Sequence, residues 1–71
     1  MQPLYEQVRA RLIEGISAAR WRPGQALPSE AELARTFKVA IGTIRKALDT
    51  LVAEQALVRQ QGRGTYVTAH D

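Results

Sequence analysis

The chain has 71 residues, a formal net charge of +3 and no cysteine. A chain of this length forms one small domain that buries only about 60% of the surface its unfolded form exposes. Without cysteine it has no disulfide or thiolate metal site, and its one histidine, His70, lies beside the C-terminus. We therefore expect no metal, no cofactor and no histidine-based catalysis. No apolar run approaches the roughly 18–20 residues of a membrane span and no signal-peptide pattern occurs, so a cytoplasmic location is expected.

The charge is distributed unevenly along the chain. Residues 1–34 balance four arginines against four glutamates, whereas residues 35–63 carry six basic side chains and two acidic ones, a surplus of four. This asymmetry suits a polyanionic partner, although an ordinary solvated basic surface explains it equally well.

Apolar periodicity predicts a first helix over about residues 3–19. The apolar positions recur every three or four residues, at Leu4, Val8, Leu12, Ile16 and Ala19. This spacing is typical of an amphipathic helix. Prolines and a glycine predict a loop over residues 20–28, with a short extended piece at residues 26–27 and Trp21 as a packing anchor.

A capping sequence predicts the start of a second, short helix over about residues 30–37. Ser29 and Glu32 have the Ser-x-x-Glu spacing in which each side chain bonds the other residue's backbone N–H. Residues 38–40 form a tight connection, and a third helix follows over about residues 41–54. Its apolar side consists of Ile44, Leu48, Leu51 and Val52. Its outer side consists of Gly42, Lys46 and Thr50, flanked by Thr43, Arg45 and Asp49.

The last part of the chain changes to strand-like patterns. Residues 57–60 and 65–68 are rich in β-branched and aromatic residues, and glycines flank Arg63 between them, which predicts a hairpin. Two helices joined by a short turn, followed by a hairpin, predict a mainly α winged helix-turn-helix fold with three helices and a wing at about residues 61–65. We assign residues 1–68 to this domain and residues 69–71 to a tail or the start of a linker.

Four stretches together resemble the N-terminal domain of the GntR-type family of bacterial transcription regulators. Their order and spacing carry the resemblance, with dots for unmatched residues: "LYEQVRARLIEGI", "W.PG..LPSE.ELA..F.V", "GTIRKALDTLVAE" and "LVRQQGRGTYV". The resemblance implies a winged helix-turn-helix that binds double-stranded operator DNA as a homodimer. It also implies an effector domain that senses a small molecule and that is absent from these 71 residues.

The resemblance and the helix pattern together nominate twelve DNA-binding residues. They are Ser29, Arg35, Ala40, Ile41, Gly42, Thr43, Arg45, Lys46, Gln61, Gly62, Arg63 and Gly64. The third helix is expected in the major groove, and the wing at the minor groove or the DNA backbone. We expect Arg45, Lys46 and Arg63 to form one cationic surface.

The chain departs from the family pattern at several positions. Family members commonly carry arginine at the position of Ala31, Ser-Arg or Thr-Arg at 40–41, and glycine at the positions of Lys38 and Gln55. Ile41 cannot donate a hydrogen bond to a base. It could touch a thymine methyl group, or it could pack on the flank of the core near Leu48 and Val52.

The function that these observations favour is sequence-specific DNA binding by a bacterial transcription regulator, expected to be a repressor. The alternative is a winged-helix protein-interaction module with weak or no DNA binding. An enzyme is not expected, because the acidic residues alternate with basic ones at helical spacing, as solvated ion pairs do. We expect the 71-residue chain to be mainly monomeric without DNA.

Overall fold

The computed structural model describes residues 2–69, with three helices followed by a two-stranded antiparallel sheet. The elements are α1 (Leu4–Ser17), α2 (Glu30–Phe37), α3 (Ile41–Ala53), β1 (Leu57–Gln60) and β2 (Gly64–Val67). The mainly α fold with a small hairpin is confirmed, and the predicted boundaries hold to within two residues. His70 and Asp71 of the predicted tail lie outside the described residues.

Helices α2 and α3, with the turn between them, form the predicted helix-turn-helix. Ser29 Oγ accepts from the backbone N–H of Glu32 at 3.1 Å, and Glu32 Oε1 accepts from the N–H of Ser29 at 3.2 Å. This is the predicted capping box, which satisfies two N–H groups at the start of α2. The helix ends where Lys38 adopts a left-handed conformation, with φ at 58°. Ala40 precedes α3 without any side-chain cap.

The core lies between α3 and the other elements. Helix α3 contacts α1, α2 and β1, and among the described residues no polar or charged side chain is buried. The fully buried large side chains are Leu12, Leu33, Ile44, Leu48, Leu51 and Leu57. Because α3 supplies half of them, its inner side is fixed by packing and its other side remains available.

The loop between α1 and α2 contacts both α1 and the hairpin. Trp21 is half-buried against the core and its ring covers Gly15 in α1, where an added Cβ would overlap Cζ3 of the indole. This confirms Trp21 as a packing anchor. The predicted extended piece is also present, because Ala26 forms a β-bridge with Tyr66 and the N–H of Leu27 donates to the carbonyl of Thr65 at 2.8 Å. The loop therefore pairs along strand β2 of the hairpin.

Two of the departures from the family pattern occupy left-handed backbone positions. Lys38 has a φ of 58° and Gln55 a φ of 65°. Glycine adopts this conformation without the steric cost that a Cβ imposes. The preference for glycine at these positions therefore has a backbone explanation, and the chain carries some strain at both.

We expect Gln55→Gly to stabilise the domain by about 0.5–1 kcal/mol. Glycine removes the cost of about 1–2 kcal/mol that a left-handed conformation imposes on other residues, but part of this gain is lost because glycine makes the unfolded chain more flexible. Chemical denaturation measures the change in the free energy of unfolding. Gln7→Gly, within helix α1, is the matched control and should destabilise by about 1 kcal/mol. A loss of stability in both variants would contradict the strain at Gln55.

Candidate nucleic-acid interface

A concave groove lies between the start of α2, the first turns of α3 and the hairpin. Leu27 and Leu48 contribute its apolar base. The groove collects seven of the twelve nominated residues, namely Ser29, Ile41, Arg45, Gln61, Gly62, Arg63 and Gly64. It also contains Glu30, Ala31, Arg59 and Gln60. Residues that are far apart in sequence therefore form one surface, because the capped start of α2 and the hairpin lie on either side of α3.

The tip of the hairpin is shaped by two glycines in backbone conformations that other residues rarely adopt. Gly62 has a φ of 78° and Gly64 a φ of 134°, and the N–H of Arg63 donates to the carbonyl of Gln60 at 2.9 Å. An added Cβ at either glycine would meet no atom within 4 Å. Arg63 is therefore presented on a narrow tip with open space on both sides.

Four other nominated residues are close in sequence to residues that line the groove, but they do not line it themselves. Arg35 is exposed in the last turn of α2, Ala40 and Gly42 are exposed at the start of α3, and Thr43 is half-buried. An added Cβ at Gly42 would meet no atom within 4 Å, so the helix surface is open there to another molecule. A role for these four in DNA contact stays a prediction.

Lys46 lies outside the groove. Its ammonium nitrogen sits 4.4 Å from the centroid of the Tyr5 ring, at the start of α1, in a cation–π contact. One residue along a helix is a rotation of about 100°, which turns Lys46 away from Arg45 and towards α1. The predicted cationic surface therefore holds for Arg45 and Arg63, which line one groove, and not for Lys46. Arg59 is the third basic residue of the groove.

Two of the three groove arginines, Arg45 and Arg59, are held by carboxylates. Arg45 Nη2 lies 3.0 Å from Glu30 Oε1, and Arg59 Nη1 lies 3.5 Å from Glu30 Oε2. Arg59 also donates from Nη2 to Asp49 Oδ1 at 2.6 Å. Glu30 thus bridges α3 and β1, and it partly offsets the charge of the three arginines that line the groove. The lining residues of the groove carry a surplus of two positive charges, which falls to one when Asp49, the partner of Arg59 outside the lining, is included.

The hydrogen bond with Arg45 determines the direction in which the pKa of Glu30 shifts. The hydrogen bond from Arg45 lowers the pKa of Glu30 below its ordinary value of 4.5, and the charges of Arg45 and Arg59 act in the same direction against partial burial. The same hydrogen bond raises the pKa of the Arg45 guanidinium. A carboxyl whose pKa is lower in the folded protein stabilises the fold at pH values above its unfolded-state pKa. This stabilisation is lost as the pH falls through its folded-state pKa. The network is therefore intact at neutral pH.

The structure bears on one of the two alternatives for Ile41, packing on the flank of the core. Its side chain is 43% exposed, it lines the groove, and it does not belong to the buried core cluster. Ile41 therefore lies outside the packed core flank near Leu48 and Val52, and its contact with a thymine methyl group stays a prediction. The core side of α3 begins at Ile44, one turn further along, so Ile41 projects beyond the packed region.

The ion pairs of the acidic residues described, within residues 2–69, join different elements and not successive turns of one helix. Glu30 pairs with residues 15 and 29 positions away, and Glu54 pairs with Arg9, which is 45 positions away on α1. The expectation of local helical spacing was wrong for these carboxylates, because the tertiary fold brings stronger partners than the adjacent turn. Sequence reasoning missed Glu30 and Arg59 as groove residues for the same reason.

In residues 2–69 no helix is both long and apolar enough to cross a membrane.

Comparison with known proteins agrees with this architecture. Residues 4–67 match the family described as bacterial regulatory proteins, gntR family. The mannosyl-D-glycerate transport/metabolism system repressor MngR of Escherichia coli K12 is 46% identical over 66 residues, which is 93% of this chain and 28% of that protein. The histidine utilization repressor of Klebsiella aerogenes is 46% identical over 65 residues, 92% of this chain and 27% of that protein. The chain thus spans little more than a quarter of the length of these relatives.

Solved structures show the same fold. The DNA-binding domain of AraR in complex with operator ORE1 superposes with a TM-score of 0.91 at 40% identity, covering 96% of this chain and 83% of that one. A GntR family transcriptional regulator from Listeria monocytogenes superposes with a TM-score of 0.93 at 28% identity, covering 97% of this chain and 60% of that one. With the family match over nearly the whole chain, these likenesses establish that the chain is a winged helix-turn-helix domain and belongs to the GntR family of bacterial regulatory proteins.

Proposed function

We propose that this domain binds double-stranded operator DNA and serves as the sequence-reading part of a bacterial transcription regulator, acting as a repressor. One observation carries the proposal: Arg45 of α3 and Arg63 of the wing line the same groove. A major groove is about 12 Å wide and accepts one helix, so α3 enters with its first turns against the base edges. The wing then reaches the adjacent backbone or minor groove with Arg63.

The start of α3 adds a second feature that favours phosphate. Ala40 provides no side-chain cap, and the first turn of α3 contains no acidic residue. The free N–H groups and the positive end of the helix dipole therefore face outward without an anionic side chain from the same turn. A DNA phosphate at this position would accept from these groups, as anions do at other helix N-termini. Arg35 and Thr43 are proposed as further backbone contacts, and Lys46 as a peripheral one.

A salt titration distinguishes DNA binding from a protein-interaction role. The 71-residue chain is titrated into a fluorescent, nonspecific duplex at several salt concentrations. Neutralising about three phosphates predicts a log–log slope of roughly −2.7, since each phosphate contributes about −0.9. Arg63→Ala should make this slope shallower by about one, whereas Arg20→Ala, which removes the same charge beside Trp21, should leave it nearly unchanged. No binding at low salt would reject the proposal and favour the protein-interaction module.

Glu30 should limit nonspecific binding. Glu30→Gln removes the carboxylate that holds Arg45, so this guanidinium becomes available to phosphates, whereas Arg59 keeps its ion pair with Asp49. We expect nonspecific affinity at low salt to rise about threefold or more, the order of one additional phosphate contact. We also expect discrimination between operator and nonspecific duplex to fall, because Arg45 loses the partner that orients it.

Glu14→Gln is the matched control for this substitution. It makes the same change in net charge at an exposed position on α1 that does not line the groove. Fluorescence anisotropy with both duplexes measures the two effects. An equal gain in the two variants would show that Glu30 acts only through net charge.

We propose that two copies bind a two-fold symmetric operator, since helix-turn-helix dimers read half-sites about one helical turn apart. Sedimentation velocity of the 71-residue chain should show a monomer without DNA and two copies on an operator duplex. A dimer without DNA would contradict this expectation. A small-molecule effector, a cytoplasmic location and the absence of catalysis stay predictions.

A further inference from the structure

Two apolar side chains occupy the part of the groove that faces outward. Ala31 is exposed in the first turn of α2, and Ile41, the first residue of α3, is 43% exposed. Among residues 2–69, the other exposed large hydrophobic side chains are Leu4 and Val58, and neither lines the groove. Within residues 2–69, Ile41 is therefore the one large apolar side chain that combines exposure with a place in the groove.

Ile41 lies beside the arginine that the proposed function relies on. Residues four apart share one side of a helix, so Ile41 and Arg45 form a continuous stripe along α3. Arg45 is turned towards Glu30 at 3.0 Å, on the side of the groove where Ala31 follows Glu30 in α2. The first residues of a recognition helix are those that meet base edges. A recognition helix that enters the major groove by this end therefore brings Ile41 to the bases, with Ala31 beside it in the protein groove and Arg45 one turn behind.

The chemistry of the base edges then limits what Ile41 can recognise. In the major groove guanine, adenine and cytosine present hydrogen-bond donors and acceptors, and only thymine adds a methyl group. A polar base edge that is covered by isoleucine loses its hydrogen bonds to water and gains no partner. A thymine methyl group that is covered by isoleucine instead gains the free energy of apolar burial.

We propose that Ile41, supported by Ala31, is a specificity-determining residue that reads the C5-methyl group of a thymine in each half-site. This inference rests on the proposed DNA-binding function and goes beyond it by naming the recognised group. Its energy is that of burying about one methyl group, which corresponds to about a fourfold change in affinity. The preference is thus for thymine at one position, in place of the hydrogen-bonded guanine that an arginine would read.

Removing single methyl groups from the DNA tests the proposal. A binding duplex is first selected from a randomised pool with the 71-residue chain, and each thymine is then replaced in turn by deoxyuridine, which keeps the base pair and lacks the methyl group. We expect one position per half-site to lose about fourfold in affinity, while the other thymines change by less than twofold. With Ile41→Ala the loss at that position should vanish, because the methyl group no longer has its apolar partner.

Ile41→Arg supplies the second arm. It should select guanine at the same position and become insensitive to the methyl group. Because Ile41 is exposed, both variants should unfold at the temperature of the original chain, which circular dichroism checks. Equal affinity for every deoxyuridine duplex, or the same loss with and without Ile41, would overturn the inference while DNA binding stands. Failure to select any duplex would overturn the proposed function and this inference together.

Discussion

Arg45→Ala should reduce affinity for a selected operator duplex about 10- to 100-fold. Arg45 is the groove residue whose guanidinium projects from the recognition helix itself, and its side chain is 60% exposed beside Glu30. A bidentate contact from arginine to a base is worth about 1–3 kcal/mol, or about 5- to 150-fold in affinity, and the expected loss lies within this range. The substitution also leaves Glu30 in the groove with a single cationic partner, so its charge repels phosphate more strongly.

Electrophoretic mobility shift or fluorescence anisotropy measures the loss. Arg20→Ala is the control, since it removes one positive charge at the end of α1, where the guanidinium lies 6.0 Å from the Trp21 ring centroid. The control should lose no more than a few-fold in affinity. If Arg45→Ala and Arg20→Ala lose the same affinity for the operator duplex, net charge explains the loss and Arg45 makes no specific contact.

Leu51→Ala should destabilise the domain by about 2–5 kcal/mol, the range for deleting a buried leucine. Leu51 is fully buried in the cluster that joins α3 to the rest of the molecule. A domain of this size has a small stability margin, so a loss of this magnitude leaves a substantial unfolded population at 37 °C. DNA binding should weaken too, because only the folded state presents Arg45 and Arg63 on one surface.

Thermal denaturation measures the destabilisation by Leu51→Ala, and we expect a drop in Tm of about 10 °C or more. Val58→Ala provides the comparison, because it also shortens an aliphatic side chain but at a position that is 43% exposed. Its free energy of unfolding should change by less than about 0.5 kcal/mol. High concentrations of operator DNA should partly restore the Tm of Leu51→Ala through mass action. A similar stability for the two variants would contradict the assigned core.

The elements of the fold could be predicted from the sequence because each has a local cause. The apolar spacing of α1 and α3, the Ser29–Glu32 capping box and the glycines around Arg63 depend on residues close to one another in the chain. The side of α3 that faces inward also followed from periodicity. The expected wing tip was found in the groove together with Arg45, because the hairpin follows α3 after a short turn.

The contacts within the site depend on tertiary placement and could not be predicted in the same way. Ile41 is only about 60° from Ile44 on a helical wheel, so periodicity left its position open, and the extent of the core decided it. Glu30 meets Arg45 and Arg59 only when α2, α3 and β1 come together. Lys46 was expected beside Arg45, but the Tyr5 ring on α1 offers it a cation–π partner on the other side.

Nuclear magnetic resonance of the labelled chain during titration with an operator duplex tests the DNA-binding surface most directly. We expect the largest chemical-shift changes in the backbone amides of Thr43, Arg45, Gly62 and Arg63, with little change at Gly15 and the Trp21 indole. Largest changes on the α1 side, or equal changes throughout the chain, would contradict the assignment of this groove as the surface that binds DNA.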